Sequence, residues 1–379
     1  MKFNFHVSPN LKGKQTTQKI MRDLTIGLLI VFAASVLYYG MVWSYRYALQ
    51  CILLLLSSLA TVFVCEAVFA KVMKKEIKSY LLNSFGWVTA IILTLMVPVS
   101  TRIYALIIAT AFCIVFGKLL FGGFGQNIFN PAAVGRATIF AAFAGMTTNL
   151  VTSATPTALL ASSYHWLPST AGALDAFLSE FGGFTGLALG LYPGALGETF
   201  TILILIVGIF LIIRDVIDWR IPVVYLGTII VMSACIALFA GLDSYHGIPS
   251  VIWYPLLHLL TGGVVFGAVF MLTDPVTSPT SASGRTLFAM GAAILTVLIR
   301  VKANLPEGCL YSILLMNMFT PLIESVLDGK QLEVKKKAIK GFICFALIGL
   351  AISVFAATSI EPVSEKPAAK NLIIQEECL

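Results

Sequence analysis

The sequence predicts an all-α polytopic membrane protein that crosses the bilayer about ten to eleven times, with two structural repeats that contain broken helices. Of 379 residues, 58% are hydrophobic and 11% are charged, whereas soluble domains carry about 25% charged residues. The apolar residues also occur in long runs, and roughly 20 mostly apolar residues span a bilayer as a helix. A chain of this composition cannot cover a water-facing surface of its own size.

The apolar runs give the predicted helices in chain order. Eight runs span or nearly span the bilayer: 24–39, 47–70, 103–121, 199–213, 221–240, 256–272, 312–327 and 341–357. Three shorter runs contain Gly, Pro or Arg and predict irregular helices: 81–97, 132–144 and 286–301. The first run is long enough to remain in the membrane, so we expect no cleaved signal peptide.

The seven cysteines form no CxxC pair, and most of them lie inside apolar runs. This pattern predicts small buried apolar residues and no sequence-local metal or iron–sulfur ligand set. A cluster shared with a partner subunit is the alternative.

Lysine and arginine are distributed unevenly, and cytoplasmic loops carry the excess of these residues. They cluster in 2–22, 71–78 and 330–340, whereas none occurs between Arg136 and Arg214. We therefore expect a cytoplasmic N-terminus and an extracytoplasmic loop at 146–196. The net charge of +7 follows from the cytoplasmic clusters, so no nucleic acid is predicted as a partner.

These observations divide the chain into five segments. They are a cytoplasmic basic segment (1–22), a first membrane repeat (23–145), the extracytoplasmic loop (146–196), a second membrane repeat (197–358) and a polar tail (359–379). The tail lies outside if there are eleven spans and inside if there are ten.

The two predicted repeats share a short pattern. In 130–136 and again in 278–285, a proline and small residues precede a Gly-Arg pair and an apolar run. Corresponding Gly- and Pro-rich interruptions in two halves are typical of transport sites built from broken helices. Two ordinary loops with Gly and Pro are the alternative.

Charged residues within or beside apolar runs are candidates for an ion path: a charge at mid-bilayer costs roughly 2.5–3.5 kcal/mol on insertion scales, so a retained one usually faces a cavity or a partner. These residues are Glu66, Arg136, Asp274, Arg285, Arg300, Glu307 and Glu324. The first candidate is Asp274, and Thr277 and Ser278 supply further oxygen atoms of the kind that hard cations prefer. Glu307 is a further candidate. The alternative for Asp274 is a cap on the following turn.

Several motifs, taken in order, closely resemble the signature of the NqrB/RnfD family. They are Gly-Lys-Leu-Leu-Phe-Gly-Gly-Phe-Gly-Gln-Asn-Ile-Phe-Asn-Pro-Ala-Ala-Val-Gly-Arg (117–136), Thr-Asp-Pro-Val-Thr-Ser-Pro (273–279), Leu-Pro-Glu-Gly (305–308) and Leu-Leu-Met-Asn (314–317). The segment from His-Val-Ser-Pro-Asn (6–10) to Lys-Ile-Met-Arg-Asp (19–23) is similar to the Rnf branch of that family.

The resemblance implies a threonine joined through a phosphoester to FMN, in a motif similar to Ser/Thr-Gly-Ala-Thr. That motif falls on 152–155 and makes Thr155 the flavin-bearing residue. Ser153 replaces the usual glycine, and Asn149 stands where the family often has aspartate.

Further flavin contacts are expected within the family signature. The candidates are Gly122, Gly123, Asn127 and Arg136. Close backbone packing is the alternative for the glycines. A lipid headgroup or a carboxylate partner is the alternative for Arg136 and also for Arg285.

For function, the resemblance implies a multi-pass subunit of an Rnf-type complex in the cell membrane. Such complexes couple electron transfer between ferredoxin and NAD to the outward movement of sodium ions or protons. The expected partners are the other subunits, including a second flavoprotein subunit and iron–sulfur subunits, and a flavin transferase. A second, noncovalent flavin such as riboflavin is left open. The sequence has no Rossmann-type site or cluster motif, so this chain holds no complete catalytic site and substrate oxidation is expected on the partners.

Two other functions compete with this interpretation. The B subunit of the sodium-pumping NADH:quinone reductase belongs to the same family and would need a quinone site. A solute channel or transporter without a redox role would be a colourless protein that transports without partners.

Overall fold

The structure is a computed structural model, and it describes residues 15–143, 155–192, 194–303, 308–360 and 362–363. Within these ranges the regular structure is helical, and strand pairing is limited to isolated bridges. The predicted all-α membrane fold is confirmed at this level.

The helices follow one another along the chain with short connections. Before the gap at 144–154 they are α1 (Thr17–Tyr38), α2 (Tyr45–Val72), α3 (Ile77–Ser84), α4 (Gly86–Leu95), α5 (Ile103–Ile114) and α6 (Pro131–Phe143). Three short helices come next: α7 (Pro156–Ser163), α8 (Ala171–Glu180) and α9 (Gly183–Leu189). The last seven are α10 (Thr201–Ile213), α11 (Arg220–Phe239), α12 (Ser250–Leu260), α13 (Val264–Phe266), α14 (Ala282–Lys302), α15 (Gly308–Val326) and α16 (Gln331–Ser359).

Six helices of the described ranges are long and apolar enough to cross a membrane alone: α1 extended to Trp43, α2, α11, α14, α15 and α16. A seventh candidate joins α12 to the helix that runs from Val264 to Met271, with a bend of 71° between them. Four more apolar helices have 10 to 17 residues: α4, α5 extended to Leu119, α6 and α10. At 1.5 Å per residue they cover about 15–26 Å of a hydrocarbon core roughly 30 Å thick. The structure therefore gives six or seven spans, and the predicted ten to eleven requires counting these short helices.

Polar capping residues begin the helices that carry the predicted sites. The side chains of Asn130, Thr155 and Ser281 each accept a hydrogen bond from a backbone N–H in the first turn of α6, α7 and α14. Pro131 and Pro156 follow two of these caps, at the first helical position, where a missing N–H removes no helical bond. The local sequence therefore explains why these helices begin where they do.

Two helices end in a π-helical turn just before a loop; the first loop (120–130) contains three Gly and the second (272–281) contains two Pro. The turn Val115–Leu119 extends α5, and the turn Gly267–Met271 extends α13. The side chain of Asn130, at the start of α6, donates a hydrogen bond to the carbonyl of Met271 at 3.3 Å. This bond joins the break in the first half of the chain to the break in the second half, and we call this region the junction.

Candidate functional site

Thr155, the predicted flavin-bearing residue, directly precedes α7 and caps it. Its Oγ1 accepts a hydrogen bond from the backbone N–H of Ala158 at 3.3 Å and lies 3.3 Å from Oγ1 of Thr157. The side chain is half-buried, and Ser153 and Asn149 of the same motif lie outside the described residues. An oxygen at this position faces the N–H groups and the positive end of a helix, an arrangement that favours an attached negative charge.

Thr155 lines a cavity, here called the threonine cavity, whose wall also contains the predicted residue Arg136. Arg136 is 5% exposed, and its guanidinium carbon lies 4.3 Å from the centre of the Phe140 ring. Tyr192 and Glu198 contribute further polar groups to the wall. The fold thus brings together two predicted residues that come from different helices, α6 and α7.

The floor of the threonine cavity is the break between α12 and α13. Gly262 lies there with a φ of +71°, and a Cβ atom on it would approach Cγ2 of Thr157 to 2.6 Å. Beneath it, the Arg300 guanidinium donates hydrogen bonds to the carbonyls of His258 at 2.7 Å and Thr261 at 2.8 Å. A cation at the end of a helix satisfies carbonyl groups that have no helical partner, so Arg300 stabilises the broken end of α12.

An aromatic stack connects this floor to the segment after α7. The Trp166 ring lies 4.8 Å from the Arg300 guanidinium carbon and stacks on His258 with ring centres 5.2 Å apart. Tyr254 donates a hydrogen bond to the carbonyl of Trp166 at 2.9 Å. The sequence marks Arg300 as a charge in an apolar run, but it does not indicate this role.

A second cavity, the junction cavity, lies where the two breaks meet. Its polar residues include Lys118, Asn127, Asn130 and Asp274, and its apolar wall includes Phe85, Phe124 and Phe270. The Asn127 side chain donates a hydrogen bond to the carbonyl of Phe129 at 3.1 Å. The predicted flavin contact Asn127 and the predicted ion contact Asp274 therefore share one cavity, and this cavity is not the one that contains Thr155.

Asp274 both caps its own loop and lines the junction cavity. One carboxylate oxygen accepts from the backbone N–H of Val276 and the other from the hydroxyl of Thr277, each at 3.2 Å. Thr320 of α15 in turn donates to the carbonyl of Thr277 at 2.9 Å. The hydrogen bonds of Asp274 agree with the capping alternative. Its contact with a cation stays a prediction.

A buried ion pair borders the junction cavity. Lys118, in the π turn after α5, lies with its Nζ 2.8 Å from Oε1 of Glu66 on α2, and both side chains are at most 3% exposed. Lys118 also donates to the carbonyl of Ser84 at 2.6 Å, and the Ser84 hydroxyl donates to Glu66. The sequence indicated Glu66 as an intramembrane charge, but its partner could not be identified from spacing.

Gly122 and Gly123 form the turn that follows Lys118. Their φ values are +113° and +104°, a region that favours glycine, and a Cβ on Gly123 would lie 3.0 Å from the Tyr80 hydroxyl. These positions agree with the close-packing alternative. Their contact with a flavin stays a prediction.

Ser278 lines a third cavity, which shares Thr273 and Pro275 with the junction cavity. Asp218 in that cavity binds Arg285 at 2.6 Å and Arg220 at 3.1 Å. Burial alone would raise the pKa of Asp218, but the hydrogen bonds from Arg220 and Arg285 and their charges hold it below its usual range. Arg285 therefore pairs with a carboxylate, which is one of the two alternatives given for it in the sequence analysis.

The remaining predicted ion contact, Glu307, lies outside the described residues.

The threonine and junction cavities lie at opposite ends of α1. Leu24 of α1 lines the junction cavity. Tyr39, about 22 Å farther along that helix at 1.5 Å per residue, donates a hydrogen bond to the carbonyl of Gly194 in the wall of the threonine cavity. Along α6, by contrast, only about 6 Å separates Ala132 in the junction cavity from Arg136 in the threonine cavity. About one turn of α6 thus separates the nearest residues that this helix contributes to the two cavities.

Comparison with known proteins gives a consistent set of relatives. A sequence model of the NQR2, RnfD, RnfE family matches residues 4–333. The chain is 38% identical over 327 residues to the D subunit of the Na(+)-translocating ferredoxin:NAD(+) oxidoreductase complex of Acetobacterium woodii, an alignment that covers 84% of this chain and 91% of the relative. It is 34% identical over 333 residues to the D subunit of the proton-translocating ferredoxin:NAD(+) oxidoreductase complex of Clostridium ljungdahlii, with 85% and 93% covered. It is 31% identical over 346 residues to the D subunit of the ion-translocating oxidoreductase complex of Stutzerimonas stutzeri, with 83% and 91% covered.

Proposed function

The chain belongs to the NQR2, RnfD, RnfE family, and on that premise we propose that it is the D-type membrane subunit of an Rnf-type ion-translocating oxidoreductase. It acts in the cell membrane, where the complex passes electrons between ferredoxin and NAD and moves a cation outward. The N-terminal similarity to the Rnf branch and the names of the most similar relatives favour this function over a quinone-reducing subunit.

We further propose that Thr155 carries FMN through a phosphoester. The donor groups around Thr155 fit such a group: the phosphate would lie at the start of α7, and the Arg136 guanidinium lines the same cavity. Phe140 and Tyr192 supply aromatic surface for a ring system. When bound, a flavin supplies one-electron transfer chemistry that no side chain offers. The chain's own residues attach it, balance its phosphate charge and hold it in a half-enclosed site.

The junction cavity is the candidate site for a second, noncovalent flavin such as riboflavin. Its wall is mainly apolar and aromatic, with a few converging polar groups such as Asn127, which is typical of cofactor sites. The two cavities at opposite ends of α1 would then let this chain receive an electron near one membrane face and deliver it near the other.

The cation path is proposed to pass Asp274, Thr277 and Ser278, with Glu307 as a further candidate. Moving one cation against about 150 mV requires about 3.5 kcal/mol, which the electron transfer must supply. The similar relatives include one sodium-translocating and one proton-translocating complex, so sodium and proton are both candidate cations.

The finer architecture is part of the same proposal. The π turns Val115–Leu119 and Gly267–Met271 are each followed by a loop and then by a helix that begins at a capping side chain, which supports two related halves. Counting the four short apolar helices brings the total to ten or eleven spans. With a cytoplasmic N-terminus, α1 then begins near the inner face, and Thr155 lies toward the outer face. The partners are the remaining subunits of the complex, including a second flavoprotein and iron–sulfur subunits, and a flavin transferase that modifies Thr155.

The observation that carries the proposal is the meeting of Thr155 and Arg136 in one cavity, and covalent flavin on the denatured chain tests it. Wild type, Thr155→Ala and Thr170→Ala are co-expressed with a flavin transferase and compared by in-gel flavin fluorescence and intact mass. Thr170 is a matched control because it caps α8 just as Thr155 caps α7. We expect fluorescence and an FMN-sized mass increment in wild type and Thr170→Ala, with both lost in Thr155→Ala. An unmodified wild type would refute the site and favour a transporter without a redox role.

A further inference from the structure

Asn317 is a buried amide at the middle of a membrane-spanning helix. It is the tenth of the 19 residues of α15 and is 1% exposed. At 1.5 Å per residue, α15 is about 28 Å long, close to the thickness of the hydrocarbon core. Asn317 therefore lies near the bilayer midplane.

Among the described residues, neither side-chain atom of Asn317 has a hydrogen-bond partner. The backbone adds a third polar atom at the same place, because Pro321 lies inside α15 four residues later. Proline has no N–H, so the carbonyl of Asn317 lacks its usual helical donor. Native proteins satisfy nearly all buried polar groups, and an unsatisfied one calls for a ligand, a water or an ion.

The neighbours of Asn317 belong to the junction. α15 packs against α6 and against the π turn Gly267–Met271. Ile313, one turn before Asn317, lies 3.5 Å from the position a Cβ on Gly267 would occupy. Thr320, three residues after Asn317, donates to the carbonyl of Thr277, which belongs to the Asp274 loop. Residues three and four apart share a helix face, so Asn317 faces the region between the π turn and the Asp274 loop.

We propose that Asn317 binds a sodium ion at the middle of the translocation path, through its side-chain Oδ1 and the backbone carbonyl that Pro321 leaves without its helical donor. This inference deepens the proposed function and rests on it, because the site serves only a subunit that moves a cation. Hard monovalent cations bind neutral amide and carbonyl oxygens. Neither group takes up a proton near neutral pH, so these ligands suit a metal ion and not a proton. The amide and carbonyl oxygens carry no net charge, so they bind a sodium ion weakly. A weakly bound ion can leave the site as well as enter it.

The test uses the assembled complex in proteoliposomes and measures ferredoxin-driven uptake of radioactive sodium as a function of sodium concentration. Three variants change the two ligands separately. Asn317→Leu keeps the volume and removes the amide, Pro321→Ala restores an N–H that occupies the carbonyl, and Asn317→Asp adds a titratable charge. Ser353→Ala is the matched control, because it removes a buried hydroxyl from α16 that already bonds to carbonyls of Gly349 and Met232.

We expect the half-saturating sodium concentration to rise at least tenfold in Asn317→Leu and to rise in Pro321→Ala, with no change in Ser353→Ala. Asn317→Asp should make the half-saturating concentration depend on pH, because a carboxylate titrates and the wild-type amide does not. That readout keeps the proposal testable if the leucine variant does not fold. With a purely structural role for Asn317, pH would change the maximal rate through the amount of folded complex and would leave the half-saturating sodium concentration unchanged.

Three results would overturn the inference, and they are distinguishable from failure of the proposed function. Wild-type sodium kinetics in Asn317→Leu would remove Asn317 from the path, as would pH-independent kinetics in Asn317→Asp. If the wild-type complex transported protons without sodium, the polar atoms of Asn317 would bind water and not a sodium ion. The proposed function would stand. A wild-type complex that moves no cation during electron transfer would refute the proposed function itself.

Discussion

Glu66 and Lys118 form a buried pair in which each charge depends on the other, and a double-mutant cycle measures that dependence. The two charged atoms are 2.8 Å apart and both side chains are at most 3% exposed. At an effective dielectric constant of about 20, two unit charges at this distance attract by about 6 kcal/mol, much of which offsets the cost of removing both from water. Removing one partner leaves the other charge buried and unpaired, so we expect Glu66→Leu and Lys118→Met each to lower the free energy of unfolding by about 3–5 kcal/mol.

The double variant should be far less destabilised than the two single variants combined. Apolar residues of similar volume replace a buried pair at little cost, so we expect a loss of about 0–3 kcal/mol when both are changed together. The assay is reversible unfolding of the purified chain in detergent, followed by tryptophan fluorescence. Asp175→Asn is the control: it removes a surface carboxylate that lies 3.9 Å from Nε2 of His246, where both side chains are more than 60% exposed, and it should change stability by less than about 1 kcal/mol. Additive losses in the double variant would refute the reasoning.

Three further predictions test the junction and the cavity floor. Gly262→Ala forces an alanine to a φ of +71° against Thr157 and should lower the free energy of unfolding by about 1–3 kcal/mol; an unchanged unfolding midpoint would contradict the packing of the floor. Asn130→Ala removes the cap of α6 and the bond to the second break and should cost about 1–2 kcal/mol, whereas Asn130→Ser keeps an uncharged capping oxygen and should cost less; equal losses in the same unfolding assay would contradict the cap. Arg285→Leu should destabilise the protein at pH 7. Because the pKa of Asp218 is lower in the folded state than its usual value of 3.8, this stabilisation is complete above that value and is lost as the pH falls below it. Unfolding measured at pH 7 and at pH 3 should show the difference between variant and wild type shrinking, and an equal difference at both pH values would contradict the contribution of the pair.

The sequence predicts the class of fold and the start of α6 well, because both depend on short-range features. Apolar runs identify membrane helices, and Asn130 followed by Pro131 marks the start of α6. The short helices α7, α8 and α9 lie in a segment that the sequence predicts as a loop. The span count is harder, because the sequence does not say whether a 13-residue apolar helix such as α6 or α10 crosses the membrane or stops at a break. That outcome depends on the tertiary packing that covers the free backbone groups.

The sequence predicted only part of the candidate site, because contacts between distant residues decide which side chains meet. Thr155 and Arg136 were both chosen from the sequence, but only the folded chain brings them to one cavity. Asn127 and Asp274 were assigned to a flavin and to an ion, and the fold brings both to the junction cavity. Arg300 and Lys118 form their decisive bonds with residues more than 35 positions away, so no spacing in the sequence identifies those partners. The resemblance supplied the role of Thr155, and the structure supplied its surroundings.

The threonine cavity and the junction cavity should lie toward opposite faces of the membrane, with Thr155 toward the outer face. Single cysteines introduced at two exposed serines test this arrangement: Ser162→Cys on α7 and Ser79→Cys on α3. The native cysteines are replaced beforehand. A membrane-impermeant maleimide is added to intact cells and then to lysed cells. We expect Ser162→Cys to be labelled in intact cells and Ser79→Cys to be labelled only after lysis. Labelling of both from the same side, or of Ser79→Cys alone in intact cells, would contradict it.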